Sequence, residues 1–224
     1  MNDKKGLTAK HIIIYLLIFF SFWSLRELVI QPIFLTPLSP VFSALIGEII
    51  KLSTWTLPAV LLIKHFHNDM EVSLKEMFTS KLQWHRDYLF ALVFVLVLIV
   101  RPLHGWLIHG NFELNPNFVP ENLIGAVLFV GITEELVFRG FLLNAFLKKM
   151  ELKYAIALDA VLFALIHYPI WLYRGFTLPE IMLASVQVAF LSAGFAYSFI
   201  KTRNIFVPIA LHMVWNFSII LFLR

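Results

Sequence analysis

Seven stretches of this sequence stay apolar for about 20 residues each, near 11–30, 41–63, 88–108, 122–147, 154–173, 181–200 and 205–223. This constrains the fold more than any other feature. Runs of that length match the hydrocarbon thickness of a bilayer. Inside lipid each backbone N–H and C=O must be satisfied within its own element, and without strand-like alternation that element is a helix. The expectation is an all-α polytopic bundle of about seven spans. No linker or repeat breaks the series, so residues 1–224 read as one integral membrane domain. The chain is 60% hydrophobic and 14% charged, more apolar surface than a soluble core of this size can hide.

Cysteine is absent, which excludes disulfides, thiolate metal sites and a cysteine nucleophile. Lys4, Lys5 and Lys10 precede the first apolar run as in a signal peptide, but Trp23, Arg26 and Glu27 stand where small residues would permit cleavage. The run is therefore expected to stay as a membrane helix. The net charge of +4 does not point to nucleic acid, because the basic residues are dispersed between apolar runs. Lys64, Lys75, Lys81 and Arg86 follow the second run, Lys148, Lys149 and Lys153 the fourth, and Lys201 and Arg203 the sixth. All fall on one side if the N-terminus is cytoplasmic. The intervening loops are nearly free of positive charge: 31–40 has none, 109–121 offers Glu113 and Glu121, and 174–180 has one Arg and one Glu. An odd number of spans follows, with Arg224 outside. Pro-rich or aromatic stretches at Gln31–Pro40 and Tyr168–Pro179 suit interfacial turns, with Trp171 and Tyr173 at headgroup level and Pro169 ending or kinking the fifth helix.

An ionisable group at the centre of a span costs at least ~2.5–3.5 kcal/mol on insertion scales, so each needs a reason. The fourth run carries Glu134, Glu135 and Arg139. Glu135 and Arg139 share a face at four-residue spacing and can pair, while Glu134 is rotated by about 100° and can face elsewhere. The fifth contains Phe163 one turn before His167, with Asp159 two turns before it as an orienting partner or a residue near the cytoplasmic end. The seventh contains His212 and Asn216 on one face, with Pro208 a turn earlier. Each motif alone also fits a structural role: an acid–base lock, a hydrogen-bonded histidine, an asparagine joining helices. Together they hold what is needed to activate a water and stabilise an oxyanion. Glu48 and Lys51 can neutralise each other three residues apart, and Arg26 and Arg101 lie near helix ends where long side chains snorkel, so these read as structural.

Glu134-Glu135-x-x-x-Arg139, Phe163-x-x-x-His167 and His212-x-x-x-Asn216, in that order on separate helices, resemble the motifs of the CPBP (Abi) family, the CAAX prenyl endopeptidase and bacteriocin-processing proteins. The resemblance covers the half from about residue 122 to 224. It implies an intramembrane, metal-independent glutamate endopeptidase acting on a peptide or protein, with no cofactor and with the bilayer as its setting. By the same resemblance Glu134 is the general base, His167 helps to hold the water, and His212 and Asn216 donate to the oxyanion, with Glu135, Arg139 and Phe163 in support. The short loops suggest a bacterial cell membrane.

Two rival readings stay open. Glu134, His167 and His212 could form a three-ligand zinc site, although the sequence lacks the His-Glu-x-x-His pair of many zinc proteases. Alternatively, the cluster is the recognition pocket of a non-catalytic, peptide-binding immunity protein. A transporter fits less well, since no internal repeat with paired broken helices is present.

Overall fold

The computed structural model describes residues 6–110, 114–116, 118–120 and 123–222. Among these there is no strand, and a helix covers most of each of the seven apolar runs. In chain order they are α1 (Ala9–Leu35), α2 (Val41–His65), the short α3 (Leu74–Thr79), α4 (Trp84–His109), α5 (residues 123–147), α6 (Leu152–Tyr173), α7 (Leu178–Thr202) and α8 (Phe206–Phe222). Four of them, α1, α2, α6 and α7, are long and apolar enough to cross a membrane, and α8 is a shorter apolar helix. Lys4, Lys5, Glu113, Glu121 and Arg224 lie outside the described residues, as do the side chains of Arg86 and Arg101.

Local chemistry explains where these helices depart from the regular turn. Proline cannot donate to the helical ladder. Nevertheless α1 runs past Pro32 to Leu35, in wider turns that begin at Arg26. The turn expected over Gln31–Pro40 is thereby confined to its second half, where Thr36 donates its N–H to Gln31 O at 2.8 Å. The chain stops α4 at Gly110, whose φ of +73° is left-handed and suits glycine.

The C-terminal part of α5 is the axis of the bundle. Val137, Phe138, Phe141, Leu142 and Leu143 are fully buried, so that helix is covered all round. Phe19 of α1 and Trp55 of α2 close on it, with Phe19 edge-on to Phe138 at 6.0 Å. The end of α2 packs beside it, α7 lies along α6, and α8 lies between α4 and α5.

Polar bonds tie together the ends that carry the basic loops. Lys149 donates to Leu7 O at 2.6 Å and pairs with Asp69 at 3.4 Å, which joins the N-terminus, the α2–α3 connection and the α5–α6 connection. Arg203, after α7, pairs with Glu71 and Glu76, and Asn204 donates to Ser80 O at 2.6 Å. Asn144 of α5 exchanges two bonds with Val72, at 2.7 and 2.8 Å. The four basic segments therefore share one end of the bundle, as the charge pattern requires. At the other end Asn115 donates its N–H to Leu221 O at 2.8 Å.

Candidate active site

Glu134 and Glu135 occupy a short regular stretch of α5, with wider turns on both sides. Such irregular turns recur at functional sites. Successive residues face different ways, and here they do. Glu135 is fully buried and pairs with Arg139 through two contacts of 3.2 Å. Arg139, equally buried, also donates to Ser192 O and Ser192 Oγ of α7, at 2.8 and 2.6 Å, and lies 3.6 Å from Asp159 of α6. Its guanidinium rests over the Phe163 ring at 4.6 Å. Asp159 thus neutralises Arg139 instead of orienting His167, a helix-to-helix contact that spacing within α6 does not encode. Glu134 is 5% exposed, and its Oε2 has no hydrogen-bond partner among the described residues.

His167 sits at a break in α6. Pro169 cannot donate its nitrogen, and the chain tightens so that His167 N bonds Ala164 O at 3.1 Å instead of the carbonyl one residue earlier. The released Phe163 carbonyl accepts from His167 Nδ1 at 2.9 Å. A carbonyl only accepts, so the proton sits on Nδ1 and Nε2 carries the lone pair. Trp23 of α1 buttresses the break, its indole N–H donating to Ile166 O at 2.6 Å. Trp171, expected at headgroup level, instead is buried and stacks on His167 at 5.5 Å, whereas Tyr173 is exposed. The Phe163 ring contacts both imidazoles, 5.4 Å from His167 and 5.8 Å from His212.

Gly131 lets α8 approach α5. A Cβ there would lie 2.8 Å from Met213 Cγ and 3.4 Å from Ile209 O. The close approach brings His212 Nδ1 to 2.8 Å from Glu135 Oε1 and His212 Nε2 to 3.9 Å from Glu134 Oε2. Since Glu135 is already the counter-ion of Arg139, Nδ1 is the donor in that bond. Phe195 of α7 stacks on the other face of His212 at 5.1 Å. Asn216, one turn beyond His212, donates to Ala126 O of α5 at 2.9 Å, and so keeps one amide proton for another acceptor.

Glu48 of α2 faces α5 next to Ala126, the acceptor of Asn216: a Cβ on Gly125 would lie 3.7 Å from Glu48 Oε1. The α2 residues read from sequence as a self-contained pair therefore border this site. With Arg26 and Glu27 of α1 they line a cavity of about 400 Å³ closed by α5 and the end of α6. Arg26 does not snorkel: it bonds Glu27 and lies over the Trp23 ring at 5.2 Å. Their spacing of one and three residues carried no hint of the cavity, because pairing within one helix looks the same at a lipid-facing surface. No group of three or more His, Asp and Glu among the described residues is arranged to hold a metal ion.

What the cluster offers is a buried carboxylate with a free oxygen, an imidazole lone pair, and an imidazole braced by a carboxylate–guanidinium pair. Residues 116–218 match the family described as type II CAAX prenyl endopeptidase Rce1-like, a little under half of the chain and the half that carries all three motifs. No curated protein matches the sequence.

Proposed function

Starting from residues 116–218 as a segment of the type II CAAX prenyl endopeptidase Rce1-like family, we propose that this chain is an intramembrane glutamate endopeptidase that needs no metal. Its substrate is a peptide or protein of CAAX type or a bacterial precursor, reached within a cell membrane. All seven long helices cross that membrane, with the N-terminus in the cytoplasm. The observation that carries the reading is the buried Glu134 carboxylate, whose Oε2 has no hydrogen-bond partner among the described residues and lies 3.9 Å from His212 Nε2, while its neighbour Glu135 is taken up by Arg139.

Glu134 takes a proton from water as the water oxygen adds to the scissile carbonyl. His167 Nε2 accepts a hydrogen bond from the water's other O–H, which stays intact, and so fixes the water's lone pair toward the carbon. The carbonyl oxygen becomes an oxyanion, which His212 as imidazolium meets with Nε2–H while Glu135 holds Nδ1–H. The spare amide proton of Asn216 is the second donor. Glu134 then passes its proton to the leaving nitrogen as the C–N bond breaks. Loss of one oxyanion donor typically costs about 10²–10³ in rate.

Zinc hydrolysis requires His212 and Glu134 as common ligands, with atoms about 2.0–2.2 Å from one ion. Their 3.9 Å separation and the bond from His212 Nδ1 to Glu135 suit a ligand pair as well as a water-activating pair, so the metal content of the protein decides between the two. The test compares membrane peptidomes of cells carrying the native chain and Glu134→Gln, together with metal content of the purified protein. Products missing only from the variant support the proposal. Stoichiometric zinc lost together with activity favours the metalloprotease, and an unchanged peptidome with an intact biological effect favours a peptide-binding immunity protein.

A further inference from the structure

The reaction just described leaves four buried or nearly buried charges of α1 and α2 unused. Each is expensive at membrane depth. Their ion pairs do not join the two helices, because Arg26 pairs with Glu27 within α1 and Lys51 pairs with Glu48 within α2, the latter at 3.5 Å. Both cations do rest against one ring, Trp23, with Arg26 at 5.2 Å and Lys51 at 5.3 Å. The four side chains face the cavity, and Arg26 Nε, Glu27 Oε2 and Glu48 Oε2 are buried without a hydrogen-bond partner among the described residues.

Unmet donors and acceptors of this kind identify a ligand by its complement. Two cations and two carboxylates sum to zero. An anion entering here meets Glu27 and Glu48, and a cation meets Arg26 and Lys51. A neutral chain of alternating donors and acceptors suits both, its N–H groups going to the free carboxylate oxygens and its C=O groups to Arg26 and Lys51. That is the main chain of an extended peptide. No reacting group lines the cavity, but the helices that carry Glu134 and His167 do: Val130 and Ala126 lie one and two turns before Glu134, and Ile170 and Arg174 follow His167 by three and seven residues. Its volume of about 400 Å³ lies in the range of ligand sites.

We infer that Arg26, Glu27, Glu48 and Lys51 form a subsite that holds the substrate main chain beside the scissile bond, so that this part of the cavity reads backbone amides rather than side chains. The inference rests on the peptidase reading. It also assigns work to the helices that lie outside the family-matched segment.

The experiment uses the full chain in nanodiscs and a quenched fluorescent, farnesylated CAAX-type peptide, with versions N-methylated at single amides flanking the cleavage site. The double variant Glu48→Gln/Lys51→Met removes one charge of each sign and keeps the net charge. It is expected to raise KM by roughly tenfold or more with kcat nearly unchanged, the signature of lost uniform binding. Gly47→Ala is a second, charge-neutral probe: its Cβ would lie 2.7 Å from Arg26 Nη2 and displaces the guanidinium. It too should raise KM. N-methylation should weaken the native chain and add little in the double variant. Titration of Glu134→Gln with the same peptide gives Kd without cleavage. Unchanged KM in both folded variants, with cleavage intact, overturns the subsite alone. A native chain that neither binds nor cleaves any version overturns the peptidase reading and the subsite with it.

Discussion

Replacing Arg139 by Met keeps an unbranched apolar stem and removes the charged guanidinium, which makes it a sharp test of how the cluster is held. The guanidinium lies 3.2 Å from Glu135 and 3.6 Å from Asp159, both fully buried. At an effective dielectric of about 20, each pair is worth roughly 5 kcal/mol of attraction before desolvation is counted. Part of this is offset, because taking each ion out of water costs several kcal/mol. Removing one partner of a buried pair typically destabilises by about 3–5 kcal/mol, since the other charge stays behind uncompensated. Here two carboxylates stay behind, and Ser192 Oγ and Ser192 O lose their donor as well. Arg139→Met should therefore fall at or above the upper end of that range. Asp159→Asn should cost less, because its contact is longer and shared. The double variant Arg139→Met/Asp159→Asn should be less unstable than the two single losses added, as expected for coupled groups. Unfolding of the purified chain in mixed micelles, followed by far-UV circular dichroism, measures all three. A loss below about 1 kcal/mol for Arg139→Met, the level of an exposed pair, would refute the claim that Arg139 is the buried counter-ion of the site.

Trp23→Phe keeps an aromatic ring but removes the donor to Ile166 O, and leaving a buried carbonyl unpaired costs about 1–3 kcal/mol. Because that bond buttresses the break that presents His167, kcat should fall while KM changes little; unaltered kcat in steady-state cleavage would separate α1 from catalysis. Gly131→Ala drives a methyl against Met213 and the Ile209 carbonyl. Such overpacking costs about 1–3 kcal/mol, and in moving α8 it should lower peptide cleavage more than thermal stability; normal activity would show that the helix spacing is not critical. Outside the membrane, the Leu7 amide and then Lys149 hold Asp69 below its ordinary range, and the Arg203 hydrogen bond does the same for Glu76. Depressed values stabilise the folded chain above the unfolded carboxylate range near ~4, and this is lost as pH falls through the lower folded values. The thermal midpoint should drop from pH 5 to pH 3 by less in Asp69→Asn/Glu76→Gln than in the native chain, and equal drops would contradict the assignment.

Much of the architecture was legible because lipid leaves so few choices. Apolar runs of spanning length had to become helices, and the basic loops had to share one end, as Lys149, Asp69 and Arg203 now illustrate. Relations within one helix were equally readable: Glu135 with Arg139 at four residues, and the break ahead of Pro169. Contacts between helices were not. Ser192 meets Arg139 across 53 residues, Glu135 meets His212 across 77, and Trp23 meets Ile166 across 143. Nothing in local periodicity marks such pairs. Asp159 was ambiguous for this reason, and Trp171 looked interfacial because amphipathic aromatic rings usually are. Glu48 and Lys51 do pair as their spacing indicated, but proximity in sequence gave no sign of the cavity that they line.

The central claim is that the Glu134 carboxylate, and not a metal or its neighbour Glu135, activates the water. The decisive measurement compares cleavage of a quenched CAAX-type peptide by the native chain and by Glu134→Gln in proteoliposomes, with a chelator arm and unfolding curves for both proteins. Glu134→Gln should unfold nearly like the native chain, because no hydrogen bond holds its Oε2 and His212 Nε2 stands 3.9 Å away, yet show no turnover, and chelation should leave the native rate unchanged. Native-like turnover by the folded Glu134→Gln protein would contradict the account.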